Sequence, residues 1–139
     1  MNGTRTNSRT FPTAPEVLPE VRSFLRDLAA AAGLSEAVTD DLLLAVSEAC
    51  ANAVLHSGSG EFDVEWRDGP AVIEVVVRDR GTFRRRVRLH SVEGPGGFGI
   101  PLMTALTDRL EIREGTAADP GTRVRLTKRR TPGAGESHE

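Results

Sequence analysis

The chain has 139 residues and a formal net charge of −2, so it is long enough for one domain with a real core and has no general attraction to nucleic acid. A single cysteine excludes a disulfide framework and a cysteine-rich zinc site. No segment resembles a signal peptide, and no apolar run approaches the roughly 20 residues that cross a bilayer. We therefore expect a cytoplasmic protein that does not bind membranes.

The first predicted elements are a short strand and a helix. Residues 1–8 are polar, and we expect them to form a flexible N-terminus. Residues 9–11 favour an edge strand, which Pro12 limits. Pro15 is typical of a helix start and Gly33 of a helix end, and the apolar residues between them recur at helical spacing. Core packing is the simplest role for this helix.

A second helix, predicted over 39–57, organises the chain. Ser35 is a suitable N-cap for it. Glu48, Asn52 and His56 are spaced by four residues and form a polar line through a segment rich in Ala and Val. Glu48 and Asn52 are also compatible with a plain surface pair. Buried polar groups need partners, however, and a metal ion with a polar ligand would supply them.

After this helix the apolar period changes from helical to alternating. The elements predicted next are a half-buried strand at 62–66, a central strand at 71–78, a helix at 100–107, and two hairpin strands around 110–112 and 124–126. We expect residues 128–139 to be disordered. The order predicts an α/β (α+β) two-layer sandwich over residues 9–127, with a mixed, mostly antiparallel sheet and helices on one face.

Several signals are weak when each is taken alone. The Asp-Arg-Gly at 79–81 is also typical of a turn, and the glycine-rich turn at 96–99 lacks the preceding strand of a dinucleotide fingerprint. His56 fits a helix end, and the arginines at 84–86 fit a solvated loop. Cys50 fits a small buried apolar group. The order of the motifs carries more information than any one of them.

In that order the motifs resemble those of the gyrase, chaperone, histidine-kinase and mismatch-repair ATPases. Residues 48–56, EACANAVLH, resemble the N box E-A-x-x-N-A-x-x-H. Residues 79–81 resemble the first glycine box, and 97–103, GFGIPLM, resemble the second. Gly121-Thr122 resembles the terminal Gly-Thr pair. Length and N box are most similar to the anti-sigma-factor serine/threonine kinases of bacterial partner-switching systems, which share the histidine-kinase-like Bergerat ATP-binding fold.

This resemblance implies a role for each motif residue. Glu48 would be the general base that accepts the proton of the attacking hydroxyl. Asn52 would ligate a Mg²⁺ ion that bridges the ATP phosphates. Asp79 would accept a hydrogen bond from the adenine amino group with support from Thr122, and Gly81 would let the backbone approach the base.

The second glycine box would hold the phosphates. By resemblance, Gly97 and Gly99 form the phosphate-facing turn, and Ile100 belongs to the same ATP-binding segment. Residues 82–96 would be the lid, in which an arginine contacts the terminal phosphate. This chain departs from the family in its arginine-rich lid, in the residues after the first glycine box, and in Pro101 within the second.

The function implied is that of an ATP-binding anti-sigma regulator. It would sequester a sigma factor and phosphorylate a serine or threonine of an anti-anti-sigma protein, and it would form a homodimer. One alternative is a non-catalytic module of the same fold that binds ATP or ADP and only exchanges partners. Another is the detached ATPase domain of a sensor histidine kinase, which is disfavoured because the chain has no dimerising helix with a phospho-acceptor histidine.

Overall fold

A computed structural model describes residues 5–56, 60–80, 99–116, 118 and 120–130 of the chain. The elements, in chain order, are β1 (Arg5–Pro12), a 3-10 turn (Pro15–Val17), α1 (Leu18–Ala31), α2 (Glu36–His56), β2 (Glu61–Asp68), β3 (Val72–Asp79), α3 (Gly99–Leu106), β4 (Arg109–Glu114) and β5 (Thr122–Arg129). Within these residues no helix is both long and apolar enough to span a bilayer.

The five strands form one sheet in the order β1-β2-β3-β5-β4, and each neighbouring pair is antiparallel. The valine-rich β3 is the central strand, as its apolar residues on both faces predict. The helices pack on one side of this sheet, so the predicted two-layer α+β architecture is confirmed.

The core lies between the sheet and the helices. Inward-facing side chains of β3 and β5 meet the apolar flank of α2, those of β2 meet α1, and α1 packs against α2. The largest fully buried side chains include Trp66, Phe11, Phe62, Leu25 and Leu42. Each such side chain stabilises the fold by roughly 1.5–3 kcal/mol relative to an exposed position. The Ser35 hydroxyl accepts a hydrogen bond from the Val38 backbone N–H at 3.2 Å, which confirms the predicted N-cap of α2.

Both ends of the sheet extend beyond the sequence prediction. Residues 5–8, which the sequence assigns to a flexible N-terminus, lie in β1, where Arg5 pairs opposite Asp68. Their polar character fits an edge strand that pairs on one side only. Lys128 and Arg129, which the sequence assigns to the disordered tail, complete β5 opposite β3. Polar composition suggested disorder in both places, and strand pairing overrides it.

Candidate functional site

Two buried polar residues lie opposite one another where β3 ends and β5 begins. Asp79 is 8% exposed and Thr122 is 6% exposed, and they are direct partners in the antiparallel ladder. Thr122 alternates in phase with the buried Val124 and Leu126, so the pair lies on the helix-covered side of the sheet. The structure therefore brings together the two residues for which the family resemblance implies a shared adenine contact.

The backbone at position 121, directly before Thr122, requires a glycine. Its φ of +128° is accessible mainly to glycine, and a Cβ built on it would lie 2.3 Å from the Asp79 carbonyl oxygen. The backbone just before β5 is thus in close contact with the last residue of β3. The family resemblance identifies Gly121 as part of the terminal Gly-Thr motif, but only the structure shows its close contact with Asp79.

Glu48 and Asn52 lie on successive turns of α2, at the border between its buried and exposed sides. Both side chains are half-buried. Within the part of the chain that the structure describes, neither side chain takes part in a hydrogen bond or an ion pair. A partly buried carboxylate and carboxamide on one helix border are suited to receive a polar ligand.

Lys128 shows how α2 and α3 are placed on the sheet. Its Nζ atom donates a hydrogen bond to the Leu106 carbonyl oxygen at 2.9 Å and lies 3.5 Å from an Asp41 carboxylate oxygen. The first half of α2 and the last residue of α3 are therefore fixed at the end of the sheet where β5 finishes. This end of the molecule is called the Lys128 end below.

The candidate site residues belong to the opposite end, called the Asp79 end. Asn52 lies about 16 Å beyond Asp41 along the axis of α2, at 1.5 Å per residue. Thr122 lies about 20 Å from Lys128 along β5. Because α3 packs against α2 and ends near Lys128, its first residue, Gly99, is directed towards the Asp79 end. Three separate elements thus bring polar or backbone groups to one region.

Not every predicted site residue can be placed. Gly81, Gly97 and the predicted lid at 82–96 lie outside the described residues. Gly99 is the first residue of α3, and Ile100 is half-buried against the core. α2 ends at His56, as the helix-end interpretation of that histidine requires.

The donor set limits how a metal ion would be held. Among the described residues no group of three or more His, Cys, Asp or Glu side chains is arranged for a metal. Mg²⁺, however, is commonly held by one or two protein oxygens together with substrate phosphates and water. The half-buried Asn52 carboxamide fits that pattern of a single protein ligand.

The buried flank of α2 has a different character. Burial raises the pKa of the Cys50 thiol far above its ordinary value, although the charge of Arg22 opposes the shift. The thiol is therefore neutral and unreactive in the folded chain. The interpretation of Cys50 as a small buried apolar group is confirmed.

Comparison with known protein families identifies the class to which this chain belongs. A family model of the histidine kinase-like ATPase domain matches residues 11–128. The chain belongs to the histidine kinase-like ATPase family, and the family predicted from the motifs is confirmed.

Named relatives within this family refine the comparison. The serine-protein kinase RsbW of Bacillus pumilus is 30% identical, with 85% of this chain and 82% of the relative covered. The serine-protein kinase RsbW of Listeria innocua is 34% identical, with 85% and 83% covered. Their shared name agrees with the kinase class that the motifs predict.

A solved structure supports the fold. The crystal structure of the RsbU and RsbW domains of Rv1364c from Mycobacterium tuberculosis matches with a TM-score of 0.69 at 24% identity. The match covers 90% of this chain and 32% of that longer chain, so this chain spans about a third of it.

Sequence analysis missed the placing role of Lys128. A signal was present, because Lys128 continues the inward-facing series of Val124 and Leu126, where a lysine is uncommon. Its two partners, Leu106 and Asp41, are distant in sequence and belong to two different helices. The alternation therefore indicates an anchored lysine without indicating where it is anchored.

Proposed function

We propose that this chain binds Mg²⁺–ATP at the Asp79 end and transfers the terminal phosphoryl group to a serine or threonine of an anti-anti-sigma protein. In its other state it holds a sigma factor inactive. The observation that carries the proposal is the buried Asp79–Thr122 pair, at the end of the sheet towards which Glu48 and Asn52 lie. The family relationship favours a cytoplasmic homodimer.

The Asp79–Thr122 pair is suited to hold the adenine base. A carboxylate accepts a hydrogen bond from an exocyclic amino group, and such a bond is stronger in a buried site than in water. Thr122 contributes a hydroxyl that both donates and accepts. The tight contact at Gly121 keeps the two strands at a fixed separation, so the polar pair is preorganised for a flat base.

The phosphates would lie towards α2 and α3. Asn52 offers a side-chain oxygen to Mg²⁺, and the start of α3 at Gly99 offers backbone N–H groups, which favour anions. When bound, Mg²⁺ neutralises charge on the phosphates. The protein itself mainly positions the nucleotide, which is the greater part of what phosphoryl transfer requires.

Glu48 is the candidate catalytic residue. It lies one helical turn before Asn52, so its carboxylate and the metal ligand share one border of α2. As general base it would accept the proton of the attacking serine or threonine hydroxyl. Its half-buried position leaves it within reach of a substrate from outside.

Calorimetric titration with ATP, with and without Mg²⁺, tests the nucleotide site. We expect micromolar binding, about −8 kcal/mol, in the presence of Mg²⁺. Asn52→Ala should weaken it strongly. Ser47→Ala is the matched control, because Ser47 is also half-buried on α2 and has no assigned role. An absence of both binding heat and thermal stabilisation at millimolar ATP would refute the site.

A second measurement separates kinase from passive binder. Transfer of labelled phosphate from ATP to the cognate anti-anti-sigma protein should occur with the native chain. ATP binding without transfer would identify a nucleotide-binding module that only exchanges partners.

A further inference from the structure

The side of α2 that points away from the sheet carries two exposed leucines. Among the residues that the structure describes, Leu44 and Leu55 are the only large apolar side chains that are exposed, at 48% and 61%. Positions 44 and 55 are about three helical turns apart, so both side chains lie on the same side of α2. Glu48 and Ala51 lie between them, at the four- and three-residue steps that form one stripe along a helix. These four residues are called the leucine stripe.

Ion pairs on either side of the stripe show which way it faces. Asp40 lies 3.6 Å from Arg26 of α1. Asp41 lies 3.5 Å from Lys128, which also binds the end of α3. At about 100° per residue, all four stripe residues fall between the directions of Asp40 and Asp41 around the helix axis. The stripe therefore lies between α1 and α3, on the outward side of α2.

The stripe is not explained by the packing of the chain itself. The opposite flank of α2 already supplies the core with Leu42, Val46 and Ala49. A helix that is apolar on both sides is expected to be covered on both. Single exposed leucines are ordinary on a protein surface, but two that flank a candidate general base on one helix side are typical of a contact surface.

We propose that the leucine stripe is the docking surface for the phosphoryl-accepting protein, an inference that rests on the proposed function. Transfer requires the acceptor hydroxyl within hydrogen-bond distance of the Glu48 carboxylate, so the acceptor must lie over this part of α2. In that step the hydroxyl oxygen bonds to the terminal phosphorus, the bond from that phosphorus to ADP breaks, and Glu48 takes the proton.

The size of a protein interface links the leucines to the base. A stable interface covers about 800 Å² on each partner, which is roughly 30 Å across. Leu44 lies about 6 Å from Glu48 along the helix axis, and Leu55 lies about 10 Å from it. An acceptor seated on Glu48 therefore covers both leucines. Ala51 carries only a methyl group, so it leaves room for the acceptor chain to approach the helix closely.

Two other occupants fit the stripe less well. A second copy of the chain would cover Glu48 and exclude the acceptor from the base. A sigma factor that is only held inactive has no need of the base, whereas the stripe has the base near its middle. The position of Glu48 thus favours the protein that receives the phosphoryl group.

Steady-state transfer of labelled phosphate from Mg²⁺–ATP, with the concentration of the anti-anti-sigma acceptor varied, tests the proposal. Leu44→Gln/Leu55→Gln should raise the KM for the acceptor at least about fivefold, while kcat and ATP affinity change by less than about twofold. Glutamine resembles leucine in helix propensity, so α2 should form normally. The control Ala30→Gln/Ala31→Gln changes exposed residues at the end of α1 and should leave this KM at the native value.

Site-directed cross-linking tests the same contact without removing both leucines. The single native cysteine, Cys50, is buried, so a benzophenone maleimide on Leu55→Cys attaches at that position. Illumination should join this chain to the acceptor. The same label on Ala30→Cys should not.

The outcomes separate the docking surface from the kinase activity. An unchanged KM in the leucine variant, or an equal increase in the control variant, would overturn the docking surface and leave the proposed function intact. So would cross-linking to a second copy alone, a dimer that becomes monomeric only in the leucine variant, or a loss confined to ATP binding or to sigma-factor binding. If the native chain transfers no phosphate, the proposed function fails and the docking surface fails with it.

Discussion

The Lys128 end of the sheet and the Glu48–Asn52 border of α2 use polar residues in opposite ways. At the Lys128 end, polar groups satisfy one another within the chain: Lys128 binds the Leu106 carbonyl, and the Arg129 backbone N–H donates to an Asp108 carboxylate oxygen at 2.7 Å. At the Asp79 end, half-buried Glu48 and Asn52 have no such partner among the described residues. Polar contacts hold the Lys128 end together, whereas the Glu48–Asn52 border of α2 carries polar side chains that are available to a ligand.

The contrast indicates how a small domain accommodates a polar site. Residues that bind a ligand are poorly satisfied without it, so their orientation depends on contacts made elsewhere. Lys128 provides such a contact, because it fixes α2 and α3 on the sheet at a distance from the site. We therefore expect substitutions of the ligand-facing side chains Glu48 and Asn52 to alter activity more than stability, and substitution of Lys128 to do the reverse.

Glu48→Gln should give the largest effect. Loss of a general base lowers phosphoryl transfer by about 10²–10⁴-fold, while ATP affinity and the free energy of unfolding stay close to native. Single-turnover transfer to the anti-anti-sigma protein measures this, with Ser47→Ala as the control. Unchanged transfer would remove Glu48 from the role of base.

Gly121→Ala should give the next largest effect, and it should lower both stability and ATP binding. Its Cβ would lie 2.3 Å from the Asp79 carbonyl oxygen, at a φ of +128°. We expect a loss of about 3 kcal/mol in the free energy of unfolding, together with loss of ATP binding, as β5 moves away from β3.

Gly33→Ala is the control for backbone strain. Gly33 also has a positive φ, +78°, but a Cβ there meets nothing within 4 Å. It should lower the free energy of unfolding by only about 1 kcal/mol and leave ATP binding intact. Urea unfolding and ATP titration of both variants measure the difference. Similar losses in the two variants would show that strain, and not contact with Asp79, explains the glycine.

The sequence predicted the fold well wherever the apolar period was clear. The alternation in β2 and β3 and the helical period of α2 set the elements, and the antiparallel hairpin of β4 and β5 followed from their short separation. The edges were predicted less well: residues 5–8 and 128–129 are polar, and their strand pairing depends on partners distant in sequence.

The candidate site was predicted by motif order and not by periodicity. Asp79 and Thr122 are far apart in the chain, and only the β3–β5 pairing makes them neighbours. The alternation of apolar residues along one strand does not show which residues of a neighbouring strand lie opposite.

Lys128→Met should give a smaller effect and tests the other end. It removes a hydrogen bond from a charged donor to the Leu106 carbonyl oxygen, which stabilises the fold by roughly 1.5–3 kcal/mol in similar settings; the partly exposed position places the expected loss at about 1.5 kcal/mol. ATP affinity should change by less than about twofold. Arg129→Met is the control, since that side chain is exposed and the substitution keeps the backbone N–H that donates to Asp108. A large loss of ATP binding with native stability would contradict the division between the ends.

The smallest expected effect is the pH dependence of stability that Cys50 causes. It compares the buried flank of α2 with the border that carries Glu48 and Asn52. Because burial raises the pKa of this thiol above its ordinary 9.0, the thiol stays neutral in the folded chain while it ionises in the unfolded chain. Its contribution to stability is therefore complete below pH 9 and declines as the pH rises above 9, by up to about 1.4 kcal/mol per pH unit.

Urea unfolding of the native chain and of Cys50→Ala from pH 8 to pH 10 measures this decline. Cys50→Ala should be less stable near neutral pH, but the difference between the two chains should narrow above pH 9. A parallel pH dependence would mean that water reaches the thiol. The flank of α2 that packs on the sheet would then be as accessible as the border that carries Glu48 and Asn52, and the separation of core and site along this helix would fail.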